Sequence, residues 1–490
     1  MKIKNVIIKN FRGIQTLDAP LELDALNFFV GDNGTGKTSL LEALNLCLSS
    51  GYVASRLDVN DFHNGGSDTI EIIVEFEDKF EVKIPDGFAV QKVDCNKIRL
   101  AAKKRDKAAP IKAFSDLVTT THHYVPITQK GDKGWSITRR NRSKFEFDER
   151  RLLLSNTESN IPRVFYFSKT RVRQLTKGFS SSFSSIIDDL NWRFDKGQRQ
   201  KAEEEHFKHQ RKSLHDNVIL ETGGDTLKKT VDATNKILSE LDVPTIEVSL
   251  FKTLTPYDQA EVVFPFDGFE LPVGQSGSGI EIIIALALLE SLATLSKEKI
   301  VILIDEPEMH LHPKLQSKLV DHLTKLSDKV QIIASTHSPF LFKNIFQNPT
   351  AKLQLTKRGP AGIEIVSAHQ IGFGYLGWSP SWGEICYLAY DLPTIEFHND
   401  LYGSLEEMFK RENPGKNNQC DFDDWLEAKE VPRKIKWHNE NGQERAETLF
   451  TFVRNKIHHP ENIQRPHYTQ KQLGESIEGM CKLLSLLKQE

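Results

Sequence analysis

The sequence predicts an α/β fold in which a phosphate-binding loop joins a buried strand to a helix. A helical insertion interrupts this domain, and a C-terminal, mostly α-helical domain follows it. Three observations carry the prediction. The apolar run Leu26-Asn27-Phe28-Phe29-Val30 leads into Gly31-Asp32-Asn33-Gly34-Thr35-Gly36-Lys37-Thr38, after which Leu40, Leu41, Ala43, Leu44 and Leu48 recur at helical spacing. A second apolar run from Lys299 ends in Asp305-Glu306-Pro307. A third, Gln331-Ile332-Ile333-Ala334-Ser335-Thr336, ends one helix later at His337-Ser338-Pro339.

The 490 residues, 39% hydrophobic and with a net charge of −3, suffice for two to four domains with real cores. No stretch approaches the roughly 18 uninterrupted apolar residues of a membrane span, and Met1-Lys2-Ile3-Lys4-Asn5 has no signal-peptide apolar core. The five cysteines (Cys47, Cys95, Cys386, Cys420, Cys481) contain no Cys-x-x-Cys pair, so neither a disulfide framework nor a zinc ribbon is expected. A reducing, cytoplasmic setting fits. Charge is uneven: residues 101–177 hold 18 Lys or Arg against 7 Asp or Glu, leaving −14 for the rest of the chain. Such a block suits either nucleic-acid contact or a solvated lysine-rich loop.

Taken in order, Val6-Ile7-Ile8, Asn10-Phe11-Arg12-Gly13-Ile14 and Leu21 to Val30 read as a short antiparallel β region leading into the phosphate loop. Arg12 is placed either to reach a bound nucleotide or to sit in a surface turn. Thr69 to Phe76 reads as a strand, Lys103 to Asp148 as a loop-rich basic insertion, and Pro162 to Phe167 as a buried strand again. Residues 180–241 read as a helical insertion of the size of a short antiparallel hairpin, too short for a long coiled-coil arm. Glu247 to Phe269 returns to strands and turns. The expected domains are 1–175, with the basic insertion at about 101–150; the insertion 176–245; a second lobe 246–370; and the helical domain 371–490.

The loop glycines free backbone N–H groups to curl around a phosphate, and the helix N-terminus adds positive potential. The expected nucleotide contacts are Arg12, Asn33, Gly34, Thr35, Gly36, Lys37, Thr38 and Ser39, with Lys37 on the outer phosphates. Thr38 and Asp305 are the expected magnesium ligands, and Glu306 is the expected base for the attacking water. The carboxylate strand is expected beside the phosphate-loop strand, and the strand before His337 beside the carboxylate strand, joined to it by the Leu315, Leu319, Leu323, Leu326 helix. Gly274-Gln275-Ser276-Gly277-Ser278-Gly279 opens a further apolar helix from Ile282 to Leu295 and forms a second anion-binding device. One nucleotide does not need two, so this loop is expected to cap the γ-phosphate held by another copy of the chain.

The order of phosphate loop, insertion, signature-like loop, apolar-Asp-Glu strand and Ser-Thr-His-Ser-Pro resembles the ABC-type ATPase heads of the SMC, RecF and OLD group over roughly residues 1–370. The resemblance implies ATP and Mg2+ as cofactors, Glu306, His337 and Lys37 as catalytic residues with His337 the switch histidine, and Ser276 or Ser278, with Gly277 and Gly279, acting in trans. The loop departs from Leu-Ser-Gly-Gly-Gln, which leaves the acting serine open. Asp61 is the candidate for the glutamine-loop position.

After residue 370 the acidic motifs of a TOPRIM nuclease are absent from the sequence. The stretches Trp378 to Ile385, Ile395 to Gly403 and Phe452 to Asn462 resemble the tail of PtuA-type ATPases of Septu and retron-associated phage defence. This implies a partner HNH endonuclease (PtuB-like), a head-to-tail dimer and a higher oligomer, with no membrane. Arg454-Asn455 followed by His459 also fits the spacing of HEPN ribonucleases, or an ordinary helix C-terminus. The head motifs suit, besides, a RecF-like DNA-binding ATPase or the ATPase of an AriA-like pair with a TOPRIM partner.

Overall fold

The computed structural model describes residues 1–17, 20–48, 57–63, 67–86, 89–104, 118–126, 162–168, 225–250, 260–266, 269–272, 280, 283–284, 286–288, 290–291, 299–309, 311–359, 362–416, 418–438 and 442–488. It forms two compact units, Met1–Ile365 and Val366–Glu490. The signature-like loop and most of the basic block lie outside the described residues. No helix among the described residues is long and apolar enough to cross a membrane.

The first unit is organised on two large sheets. The antiparallel sheet contains β1 (Ile3–Phe11), β2 (Ile14–Thr16), β3 (Leu21–Glu22), β5 (Thr69–Asp86), β6 (Ala89–Lys104) and β7 (Val118–Pro126), in the order β2-β1-β5-β6-β7 with β3 also on β1. The second sheet runs β15-β14-β4-β13-β12-β8, with β4 (Leu26–Val30), β8 (Arg163–Phe167), β12 (Ile300–Asp305), β13 (Gln331–Thr336), β14 (Ala351–Gly359) and β15 (Gly362–Ser367). Its β14-β4, β4-β13, β13-β12 and β12-β8 pairs are all parallel. Strands β4, β12 and β13 are buried at every position, which explains why they read as continuous apolar runs rather than alternating ones.

Helix α1 (Lys37–Leu48) lies between the two sheets. Its Leu40, Leu41 and Leu44 join Val6, Ile8 and Phe76 of the antiparallel sheet and Phe29, Val301, Leu303 and Ile333 of the parallel one in a single core. A helix covered from both sides is apolar well beyond one stripe, and here even Ala43, Leu46 and Cys47 are buried. By contrast α3 (Pro313–Leu326), between β12 and β13, buries only the Leu319, Leu323 and Leu326 side and is capped by His312. Helices α2 (Asp225–Glu240) and α4 (Pro339–Phe346) and the antiparallel strands β9 (Glu247–Leu250), β10 (Ala260–Phe266) and β11 (Phe269–Pro272) complete the described part.

Two sequence expectations are corrected. The carboxylate strand β12 is not adjacent to β4, because β13 lies between them. The phosphate loop reaches Asp305 by way of Thr38 in the first turn of α1. Second, Val118–Pro126, expected as loop, is a strand paired with β6. Its run Val-Thr-Thr-Thr-His-His-Tyr-Val is β-branched and aromatic but polar, and an edge strand does not require the apolar period that marks buried ones.

The second unit packs α5 (Trp382–Tyr390), α6 (Ile395–Glu412), α7 (Gln419–Ala428), α8 (Leu449–His458) and α9 (Gln470–Leu487) around Phe397, Leu401, Leu405, Phe422, Phe452, Ile477 and Met480. A hairpin, β16 (Ile435–His438) with β17 (Glu444–Glu447), lies between α7 and α8.

One buried side chain ties the sheets of the first unit together. Gln331 Oε1 accepts from the Ile3 N–H at 2.6 Å, while Nε2 donates to the Ile3 carbonyl at 2.7 Å and the Asp24 carbonyl at 2.9 Å. Gln331→Leu leaves these groups unpaired in the interior. It is expected to destabilise this unit by on the order of 2–4 kcal/mol, read as a lowered thermal midpoint, with Gln331→Glu intermediate.

Candidate functional site

The phosphate loop needs its glycines for two different reasons. At Gly31 the space is missing, since a Cβ would stand 2.2 Å from the Thr356 carbonyl oxygen. At Gly34 there is room, with no atom within 4 Å of a Cβ, but the backbone has φ +76, where L side chains are strained. Thr35 is turned inward, its hydroxyl 2.7 Å from both the Asp32 carbonyl and the Thr356 hydroxyl, whereas Asp32, Asn33 and Gly34 face outward. Thr38 and Ser39 are half-buried in the first turn of α1.

Lys37 curls back into the loop. Its ammonium donates to the Gly31 and Asp32 carbonyls at 2.8 and 2.7 Å, so a cation already occupies the centre of the cradle. Thr38 Oγ1 donates to Asp305 Oδ2 at 2.9 Å, and the other oxygen of Asp305 accepts from the buried Ser335 hydroxyl. Residues of α1, β12 and β13 thus meet at one carboxylate. A hydroxyl and a carboxylate converging beside a lysine-filled nest of N–H groups form the donor set that magnesium and a triphosphate require.

Glu306 follows the last strand residue with φ +53, an uncommon conformation for a non-glycine residue, and its backbone N–H donates to the Ser335 carbonyl at 3.2 Å and hydroxyl at 3.1 Å. The left-handed turn, more than strand alternation, separates the two acids. Asp305 stays in the interior and Glu306 turns outward, its Oε1 3.4 Å from His337 Nε2. The histidine and the acid that sequence placed 31 positions apart are therefore neighbours, because β13 carries His337 to the same sheet edge where β12 ends.

Arg12 is paired with two carboxylates of the same unit. It too has a positive φ, +50, and its guanidinium forms an ion pair with Glu42 of α1 and donates from Nε to Asp61 at 2.7 Å. Burial opposes its charge, but Asp61 and Glu42 outweigh this and hold the guanidinium above its ordinary pKa. Asp61 is equally engaged: its other oxygen accepts from the Asp58 N–H at 2.8 Å, closing a capping box on the 3-10 turn Val59–Asp61. Sequence reading missed Glu42 and Tyr166 in this cluster. Burial, and then the Glu42 and Asp305 carboxylates, push the Tyr166 phenol above its usual range. The available signal was an acid on the otherwise apolar first helix. Ser276, Gly277, Ser278 and Gly279 lie outside the described residues.

In the second unit, Arg454 sits on α8 with its guanidinium 5.7 Å from the Tyr402 ring and 3.1 Å from Asn455 Oδ1. His459 caps the helix, is exposed, and has Nδ1 3.2 Å from Glu461 Oε1. His458 lies one turn after Arg454 on α8. Burial, then the charges of Arg454 and His459, hold its pKa below the ordinary histidine value.

A phosphate loop rising from a parallel sheet, with a buried aspartate beside the loop threonine and an outward glutamate just after it, defines a phosphate-loop ATPase domain. Residues 1–342 match the family model of the AAA ATPase domain, and the chain belongs to that family. The resemblance to the SMC, RecF and OLD group is borne out by its relatives. The chain is 25% identical over 348 residues to an OLD nuclease of Thermus scotoductus, covering 69% of this chain and 59% of that protein. It is 33% identical over 78 residues to the Septu protein PtuA of Bacillus thuringiensis, covering 16% of this chain and 19% of PtuA. It is 19% identical over 385 residues to the Retron Vc95 probable ATPase of Vibrio cholerae, covering 70% and 72%. The chain therefore spans less than two thirds of the first two of these relatives.

Gly31 combines a steric clash with a positive φ of +154, whereas Gly34 carries the conformational cost alone. Gly31→Ala is expected to unfold or severely destabilise the first unit, while Gly34→Ala costs about 1–2 kcal/mol through its φ alone. Thermal denaturation of both variants checks the ordering.

Proposed function

We propose that this chain is the ATP-binding and ATP-hydrolysing subunit of an anti-phage defence complex, in which ATP-dependent pairing of two heads controls a nuclease carried by an HNH partner. The observation that carries the ATPase part is the convergence of Thr38, Asp305 and Ser335, with the Glu306–His337 pair at the same sheet edge. Lys37 would exchange its loop carbonyls for phosphate oxygens, and Thr38 and Asp305 would hold Mg2+. Magnesium, when bound, supplies positive charge that offsets the charge of the phosphates. Glu306 would accept a proton from water, with the His337 imidazole orienting its carboxylate. Ser276 or Ser278 of a second copy would complete the site, and the basic block 101–177 is a candidate nucleic-acid surface. The defence role is supported by the matches to PtuA and the retron ATPase, and the HNH partner by the resemblance of the C-terminal stretches.

Lys37→Ala is expected to abolish ATP binding by equilibrium titration. Glu306→Gln is expected to bind ATP with hydrolysis reduced on the order of 100-fold and to accumulate as a nucleotide-bound dimer in size-exclusion chromatography. Native-rate hydrolysis by Glu306→Gln would remove the base assignment. Co-purification with an HNH protein encoded alongside checks the partner.

A second reading, an ATP-gated HEPN-type ribonuclease using Arg454 and His459, is favoured by their place at the C-terminal end of α8, where Arg454 lies over the Tyr402 ring and His459 is exposed at the helix cap. It predicts RNA cleavage by the isolated chain. That activity would be lost in Arg454→Ala and in His459→Ala.

A further inference from the structure

The motif Asp305-Glu306-Pro307-Glu308 contains a third carboxyl group for which hydrolysis has no evident use. Glu308 lies in the turn between β12 and α3, and its carboxyl faces inward. Oε1 accepts from the Thr336 hydroxyl at 2.6 Å and from the His337 backbone N–H at 2.9 Å. Oε2 is sealed from solvent and has no hydrogen-bond partner among the described residues. Thr336 Oγ1 also accepts from the Ser338 N–H at 3.0 Å, so the Glu308–Thr336 pair captures both N–H groups of the turn around His337. On its far side the turn is held by Ser338, whose hydroxyl caps α4 through the Leu341 N–H at 3.3 Å.

We propose that Glu308 is the positioning residue for His337: by holding the backbone on which the imidazole is mounted, it fixes where Nε2 meets Glu306. The two glutamates divide the labour by orientation. Glu306 points outward at the imidazole, and Glu308 points inward at the chain that bears it. The inference rests on the proposed ATPase and adds a residue to it.

The chemistry of the contact selects the variants. Both hydrogen bonds at Oε1 need only an acceptor, which the carbonyl oxygen of a carboxamide also supplies. Burial raises the Glu308 carboxyl above its ordinary value, against the hydrogen bonds from Thr336 and His337, in keeping with a group that need not be charged. Glu308→Gln keeps the acceptor. Glu308→Ala removes it, and with it the hydrogen bonds from the His337 N–H and the Thr336 hydroxyl, whereas Thr336→Val removes only the hydroxyl arm.

The test compares these three variants, alone and combined with His337→Ala, by three measurements. These are kcat for ATP, Kd for a fluorescent non-hydrolysable ATP analogue, and the 1H–13C NMR signal of the His337 Cε1–H group, assigned by its loss in His337→Ala. Glu308→Gln is expected within about twofold of the wild type in kcat, with the His337 signal in place. Glu308→Ala is expected to lower kcat about 10- to 100-fold with Kd changed less than about twofold, to displace the signal, and to slow the His337→Ala protein no further. A His337 signal in Glu308→Ala that superimposes on the wild type overturns the proposal, as does an equal loss of kcat in the His337→Ala background. If the wild-type chain hydrolyses no ATP, the ATPase reading falls, and the NMR comparison still decides the Glu308 contact. If Glu308→Ala does not fold, Thr336→Val is judged by the same criteria.

Discussion

The constraint on which this molecule depends is that α1 must start directly over the ends of two strands that are not its own. The Thr38 hydroxyl on Asp305, with Ser335 on the opposite oxygen, ties the helix after the phosphate loop to β12 and β13. Asp305 is almost wholly buried, and a carboxylate there is tolerated only because each oxygen has a donor. The apolar sandwich of α1 between two sheets gives the helix its depth and axis, and the polar contacts at its first turn give its register. With the helix so placed, the N–H groups at its start and Lys37 open on the point where β12 delivers its acids.

Two of the chain's positive-φ non-glycine residues lie at or beside this site. Arg12 and Glu306 both adopt left-handed conformations that side chains disfavour, and each is held by surrounding hydrogen bonds. For Arg12 those are the Asp61 carbonyl on its N–H at 2.8 Å and His63 on its own carbonyl at 2.7 Å. Conformations costing on the order of 1–3 kcal/mol persist only where the surroundings fix them. At Glu306 the effect is to send two consecutive carboxylates in opposite directions. At Arg12 it is to thread a guanidinium between Glu42 and Asp61, next to the site and engaged with protein.

The second unit has a different internal logic. Its core is aromatic, with Phe409, Phe422 and Trp425 in mutual contact, and a polar chain runs through it from Asp423 to Thr448 and Thr451 and on to Tyr402. Burial raises the Asp423 carboxyl against the two threonine hydrogen bonds. Such satisfied buried polar groups specify one packing of helices that apolar contacts alone would leave degenerate. Arg454 projects beside this network, over the ring of Tyr402.

The sequence by itself determined the parts whose signal is local. The phosphate loop, the buried strands β4, β12 and β13, the helix between the last two and the α-helical character of the C-terminal unit all follow from runs, periods and turn residues. The edge strand Val118–Pro126 and the hairpin β16–β17 escaped because neither carries an apolar period in its sequence. Tertiary structure alone decided what pairs with what. The insertion of β13 between β4 and β12, the meeting of Arg12 with Glu42 and Asp61, and the inward turn of Glu308 onto the His337 backbone all join distant or oppositely facing residues. Hydrophobic period reports whether a residue is buried. It carries no information on which of many equally apolar surfaces covers it, and hydrogen bonds between distant side chains leave no mark on their sequence neighbours.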